Sequence, residues 1–211
     1  MFIVSEKESW FKQKNRMYYT NQCKETLLSE LRASVLASLL VDALELKGEI
    51  WECGVYKGGS AGMFAFIMQD LKKSYKLRLF DTFSGIPDIT EGMDPADYVG
   101  MFEDTSEKQV RERIKKIYPK TFVHGGYIPD TFVDLEDSVI SFAHIDTDTY
   151  KSYIDCLNFI WPRLVVGGIM VFDDYGWCPG PKIAVDEFFA DKVDKAFELD
   201  THQAIVIKTH T

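Results

Sequence analysis

The sequence predicts an α/β protein: one doubly wound, mostly parallel seven-stranded sheet with a C-terminal antiparallel hairpin. Three observations carry that expectation. Short apolar runs alternate with stretches of helical periodicity, the pattern of successive strand–helix units. Two of those runs end in paired carboxylates, at Asp146/Asp148 and at Asp173/Asp174, as buried strands do when they emerge at a ligand-binding edge. The last two runs have only a short connection between them, so they pair as a hairpin.

The elements follow in order. Residues 1–21 are polar and aromatic, with Trp10, Phe11, Tyr18 and Tyr19, and read as an arm ahead of a single domain spanning 22–211. From Gln22 to Leu46, the residues Leu27, Leu28, Leu31, Val35, Leu39 and Leu40 recur at helical spacing, with Gly48 as the stop. Glu49 to Gly54 is the first strand, Gly59 to Lys73 the second helix and Lys76 to Phe80 the second strand. Ser84 to Glu103 is rich in Gly, Pro and Asp and has no period; an aperiodic loop of about twenty residues is uncommon in a compact domain and often functional. The next helix takes Asp104, Thr105 or Ser106 as its N-cap and stops before Pro119. Thr121 to His124 and Val139 to Ile145 are strands, with His144 packed or bonded within the sheet. Thr149 to Arg163 is a helix despite Pro162, and Val165 to Phe172 a strand. Pro181 to Ala190 is a helix with proline near its first turn, and Ala196 to Leu199 pairs with Ala204 to Lys208.

Composition narrows the function. The chain is 46% hydrophobic and 14% aromatic, enough for a sizeable core, and its formal charge is −9. No basic run compensates, which argues against a nucleic-acid groove or an anionic membrane surface and favours a neutral or cationic small molecule. Cys23, Cys53, Cys156 and Cys178 form no CxxC pair, so neither a zinc site nor a redox motif is indicated. Free thiols fit a reducing cytoplasm. The N-terminus turns charged at once, unlike a signal peptide, and no apolar run is long enough for a membrane span.

Two constellations carry chemistry. Glu52-Cys53-Gly54-Val55-Tyr56-Lys57-Gly58-Gly59-Ser60 links the first strand to a helix. Its glycines allow a ligand to approach the backbone, and the helix start offers free N–H groups. The spacing is not GxGxxG, and Ser60 sits in no GxSxG elbow, so a dinucleotide fingerprint and a hydrolase are both disfavoured. Asp81 ends the second strand, where a carboxylate can accept from both hydroxyls of a ribose. The second constellation is Asp146, Asp148, Asp173 and Asp174. Like charges so close raise one another's pKa unless a cation neutralises them, and an all-oxygen set suits a hard divalent ion.

Five segments in order resemble the macrocin O-methyltransferase family: Glu52–Ser60, Asp81-Thr82-Phe83-Ser84-Gly85-Ile86-Pro87, Gly126-Tyr127-Ile128-Pro129-Asp130-Thr131-Phe132, Ile145–Tyr150 and Gly167–Tyr175. The resemblance implies a Rossmann-like class I methyltransferase fold and O-methylation of a sugar hydroxyl with S-adenosylmethionine and Mg²⁺. It implies Asp146, Asp173 and Asp174 as metal ligands, with Asp146 also the general base. Glu52, Cys53, Gly54, Val55, Tyr56, Gly59, Ser60, Asp81, Thr82 and Phe83 would surround the cofactor, with Ser106, Gly126, Tyr127 and Asp146. Asp148 would support the ligands or cap the following helix. A homodimer is implied, with the arm and the long loop covering the acceptor. A catechol-type O-methyltransferase is the alternative enzyme, but there the last strand typically ends in Asp-Asn, and here it ends in Asp173-Asp174. A non-catalytic cofactor-binding protein is the other alternative.

Overall fold

The structure, a computed structural model, describes residues 25–210. The proposed arm and Cys23 lie outside them. The described elements are α1 (Glu30–Ala43), β1 (Glu49–Cys53), α2 (Gly59–Asp70), β2 (Leu77–Asp81), α3 (Glu107–Ile117), β3 (Thr121–Gly125), β4 (Ile140–Ile145), α4 (Tyr150–Ile160), β5 (Leu164–Phe172), α5 (Pro179–Phe189), β6 (Phe197–Glu198) and β7 (Ala204–Ile207). They form one seven-stranded sheet in the order β3-β2-β1-β4-β5-β7-β6. Strands β1 to β5 are parallel, and β7 runs antiparallel to both β5 and β6. The doubly wound sheet and its closing hairpin are as the sequence predicts.

Alternation along the strands explains the two layers. Successive side chains on a strand face opposite sides. Ile50, Leu79, Phe142, Ile169 and Val171 therefore pack with α1, α2 and α3, while Trp51, Phe80, Ala143, Met170 and Phe172 pack with α4 and α5. Both faces are covered, which is why the central strands read as nearly continuous apolar runs.

The chain order reverses between β1 and β4, and their neighbours end flush. Cys53 is level with Phe80 and with Ile145, and Ile145 with Phe172. The turns just beyond these residues must therefore meet. In open α/β sheets such a switch point is where ligands bind.

Several boundaries differ from the sequence expectation. Helix α1 does not start at Gln22 or run to Leu46. Ser29 caps it by accepting from Arg32 N, and the Thr26 hydroxyl accepts from Leu28 N, so residues 25–29 form a turn. Gly48 does not cap α1; it lies against Ser141, where a Cβ would meet the backbone nitrogen at 2.5 Å, and so lets the chain enter β1. Helix α2 stops at Asp70, because Lys72 adopts a positive φ of 51°. Pro162 tightens the end of α4 into a 3₁₀ turn over Trp161–Arg163. Helix α5 begins two residues early, at Pro179, so both of its prolines sit in the first turn, where a missing N–H costs nothing.

The long loop is partly ordered by its own backbone. Ile86 N donates to Met101 O and Gly100 N to Ile86 O, both at 2.9 Å, with a 3₁₀ turn at Ala96–Tyr98. Asp94 anchors the loop to α4 by accepting from Tyr150 N at 2.9 Å.

Candidate active site

The C-terminal ends of β1, β2, β4 and β5 open into a cavity of about 530 Å³, within the usual range for a small-molecule site. One half is the turn from β1 into α2. Gly54 holds φ 86°, and a Cβ there would sit 1.7 Å from the Asp146 carbonyl oxygen. Only glycine lets this turn pass against the end of β4. Asp81 binds the same turn from β2. Its Oδ2 accepts from Val55 N at 2.7 Å and Tyr56 N at 2.8 Å, and its Oδ1 from Phe83 N at 2.7 Å. A carboxylate has about four lone-pair sites, so Asp81 builds the turn and keeps a limited capacity for a ligand.

The other half is acidic. Asp146 follows β4, with its N–H on Cys53 O at 2.8 Å; Asp173 follows β5, with its N–H on Ile145 O at 3.0 Å. Donor atoms of Asp146 and Asp173 lie within 4.8 Å of one another together with a His144 ring nitrogen, and those of Asp148 and Asp174 together with Cys178. The three carboxylates expected to share one cation are thus divided between two neighbouring groups. Asp148 is not a helix cap: Thr149 holds the N-cap position of α4, while the Asp148 N–H donates to Asp174 Oδ2 at 3.2 Å and its φ is 64°.

Electrostatics set the four acids apart. Burial, then Asp173, Asp174 and Asp148, push the Asp146 carboxyl well above the ordinary carboxylate range. Burial and the neighbouring Asp174 and Asp173 do the same to Asp148. Asp174 rises to about 6, through burial and then Asp173, although the Tyr153 hydroxyl donates to it at 3.0 Å. Asp173 is the exception. Burial pushes it up, but His144, Arg32 and Gln203 outweigh that and leave it below the ordinary value. An oxygen-rich cluster with three acids held toward protonation fits a hard divalent cation, which would relieve the repulsion.

Beneath the rim, His144 is wholly buried between two carboxylates. Its Nδ1 is 3.0 Å from Glu52 Oε1 and its Nε2 3.6 Å from Asp173 Oδ1. Burial pulls the imidazole down, but Asp173 and Glu52 more than offset it, raising its pKa to about 9.

Most of the residues singled out by sequence come together here. Gly54, Val55, Tyr56, Gly59 and Ser60 line the cavity from the β1–α2 turn, and Asp81 and Thr82 from β2. Gly126 and Tyr127 line it after β3, and Asp146, Asp173 and Asp174 from the acidic side. Four others do not. Glu52 and Cys53 are fully buried below the rim, on opposite faces of β1. Phe83 packs against the core. Ser106 caps α3 and borders a separate small hollow with Lys57, Asp104 and Arg113. The long loop contributes Ile86, Pro87, Asp88 and Phe102 to the wall. Sequence reading missed Thr26, Leu28 and Arg32, which form the wall on the α1 side. Arg32 meets Asp173 across 141 residues of chain, so no local pattern could announce it.

Residues 14–202 match the sequence profile of the macrocin O-methyltransferase (TylF) family. The chain belongs to this family. A demethyldecarbamoylnovobiocin O-methyltransferase of Streptomyces niveus is 30% identical over 168 residues, 73% of this chain and 62% of that protein. A mycinamicin III 3''-O-methyltransferase of Micromonospora griseorubida is 26% identical, over 77% of this chain and 69% of that protein. The chain therefore spans less than two thirds of the novobiocin relative. The O-methyltransferase NovP superposes with a TM-score of 0.81 at 24% identity, over 92% of this chain and 88% of its own. The calicheamicin methyltransferase CalS11 gives 0.71 at 20%, over 98% and 94%. At these identities the likeness shows the class I methyltransferase fold. No described helix is long and apolar enough to cross a membrane.

Proposed function

We propose that the protein transfers a methyl group from S-adenosylmethionine to a hydroxyl of a sugar-containing small molecule, with a divalent cation in the acidic cluster. The observation that carries this reading is the joining, in one cavity, of the glycine turn and Asp81 to four carboxylates. The name of a further relative, an 8-demethyl-8-(2,3-dimethoxy-alpha-L-rhamnosyl)-tetracenomycin-C 4'-O-methyltransferase of Streptomyces olivaceus, includes a rhamnosyl group and favours a sugar over a catechol.

In this reading the turn at Gly54 and Val55, with Ser60, seats the methionine end of the cofactor, and the free capacity of Asp81 takes a ribose hydroxyl. Bound Mg²⁺ would be held by Asp146, Asp173 and Asp174 and would stabilise the charge developing on the acceptor oxygen. Asp146 accepts the hydroxyl proton on its carboxylate. The loop carrying Ile86 and Phe102 covers the cavity and limits water near the methyl donor.

The test is methyl transfer from S-adenosylmethionine to a panel of glycosides and catechols, with and without EDTA. Transfer to a glycoside that stops in EDTA and returns with Mg²⁺ is expected. Full turnover in EDTA would remove the cation, and transfer to catechols alone would favour the catechol-type alternative. No transfer to any acceptor, with cofactor bound, would point to a binding protein. Asp81→Ala is expected to weaken S-adenosylhomocysteine binding by roughly 1–3 kcal/mol, the loss of a charged hydrogen-bonding group. Wild-type affinity by calorimetry would take Asp81 out of the cofactor site.

A further inference from the structure

One carboxylate of the acidic cluster is treated differently from the rest. Asp173 is gripped by side chains from three separate elements. Arg32 of α1 donates through one Nη2 both to Asp173 Oδ2 and, at 2.6 Å, to the Asp173 carbonyl oxygen. That double contact ties the carboxylate to its own main chain and so limits its rotamers. Gln203, fully buried just before β7, donates its Nε2 to Oδ1 at 2.6 Å. His144 of β4 faces the same Oδ1 at 3.6 Å and is itself backed by Glu52. By contrast, Asp146 is tied by its main-chain N–H to Cys53 O, and Asp148 by its main-chain N–H to Asp174 Oδ2.

These contacts are costly to assemble. An amide and an imidazole are removed from water for the sake of one carboxylate, a guanidinium is left only 19% exposed, and Arg32 Nε is buried without a hydrogen-bond partner among the described residues. Packing alone would be served as well by apolar residues in these places. What the polar residues supply is direction. Gln203 and His144 both face Oδ1, whereas Oδ2 meets Arg32 alone and, with about two lone-pair sites per oxygen, keeps one for a further partner.

We propose that Arg32 and Gln203, with His144 behind them, are positioning residues that hold Asp173 in the orientation a divalent cation needs. This rests on the reading of the acidic cluster as a cation site. The proposal gives α1 and the C-terminal hairpin a role in the site: neither supplies a ligand, and both aim one. Such outer partners commonly change metal affinity by about 10–100-fold when removed.

The experiment is Mn²⁺ titration of the protein without acceptor, followed by calorimetry or by the paramagnetic signal of free Mn²⁺. S-Adenosylhomocysteine affinity and melting temperature are measured on the same samples. Arg32→Gln and Gln203→Met are expected to weaken Mn²⁺ binding by about 10–100-fold while leaving S-adenosylhomocysteine affinity within about twofold. Arg32→Lys, which keeps the charge but loses the planar fork, is expected to fall between wild type and Arg32→Gln. Mn²⁺ affinity unchanged in both Arg32→Gln and Gln203→Met would overturn the proposal. Tighter binding in Arg32→Gln would also overturn it, by identifying Arg32 as a competitor for the cation. So would equal loss of Mn²⁺ and S-adenosylhomocysteine affinity, the mark of general damage. A wild type that binds no Mn²⁺ would fail the underlying cation reading instead.

Discussion

Asp146→Asn is expected to lower kcat by at least about 10²–10⁴, the usual worth of a positioned general base, or roughly 3–5 kcal/mol of barrier. A sugar hydroxyl is a weak acid and a poor nucleophile, so its proton must leave as the methyl group arrives. Asp146 stands where β4 ends, against the glycine turn on one side and Asp173 on the other. It is thus the carboxylate that bridges the two halves of the cavity. Asparagine keeps the shape, cannot take a proton, and also weakens the cation. Measuring kcat across a Mg²⁺ titration separates the two effects. Near-normal turnover at saturating Mg²⁺ would remove Asp146 as the base.

Asp148 is the internal comparison. It too lines the cavity and is held toward protonation, and its φ of 64° is unusual for a residue other than glycine. Its N–H steadies Asp174 at 3.2 Å, and that contact survives an Asp→Asn change. Asp148→Asn is therefore expected to lose less activity than Asp146→Asn. The reverse order at saturating Mg²⁺ would move the base assignment to Asp148.

The strands were legible because both sheet faces are buried, so the central strands are mostly apolar, with interior exceptions at Glu52, Arg78, Ser141 and His144, and end abruptly at a turn. The acidic rim was legible for the same reason: Asp146 and Asp173 are the first residues past such runs. What lies one step below the rim was not. Glu52 looks like a cavity residue in a linear motif, yet alternation along β1 turns it toward α2 and into contact with His144. The Ser106 position shows a similar limit, since a residue good at capping a helix spends its hydroxyl there. The α1 wall was invisible for a different reason. Leu27 and Leu28 fit a helical repeat, but Thr26 and Ser29 hydrogen-bond the local backbone and start the helix at Glu30. Long-range partners such as Arg32 and Gln203 leave no mark on sequence periodicity, because their roles depend on a contact made only after the sheet has formed.

Gly54→Ala is expected to destabilise the protein by more than about 3 kcal/mol, the range of severe core substitutions. For a domain of this size that is a fall in Tm of roughly 6–12 °C. Two effects add. The φ of 86° penalises any Cβ by roughly 1–2 kcal/mol. The larger effect is steric: the new carbon would lie 1.7 Å from the Asp146 carbonyl oxygen and 2.4 Å from its carbonyl carbon. Those are backbone atoms at the end of a central strand, so relief requires moving either the glycine turn or the rim that carries Asp146. Either movement disrupts both halves of the cavity, and cofactor and cation affinity should fall together. Gly92→Ala separates the two effects. Gly92 has a similar φ of 80° but nothing within 4 Å of its would-be Cβ. It should show the conformational penalty alone, and the difference between the two variants in thermal melts measures the clash. Equal, small Tm changes in both would mean that the turn can part from β4 freely, and the close joining of cofactor turn and acidic rim would not be what Gly54 is for.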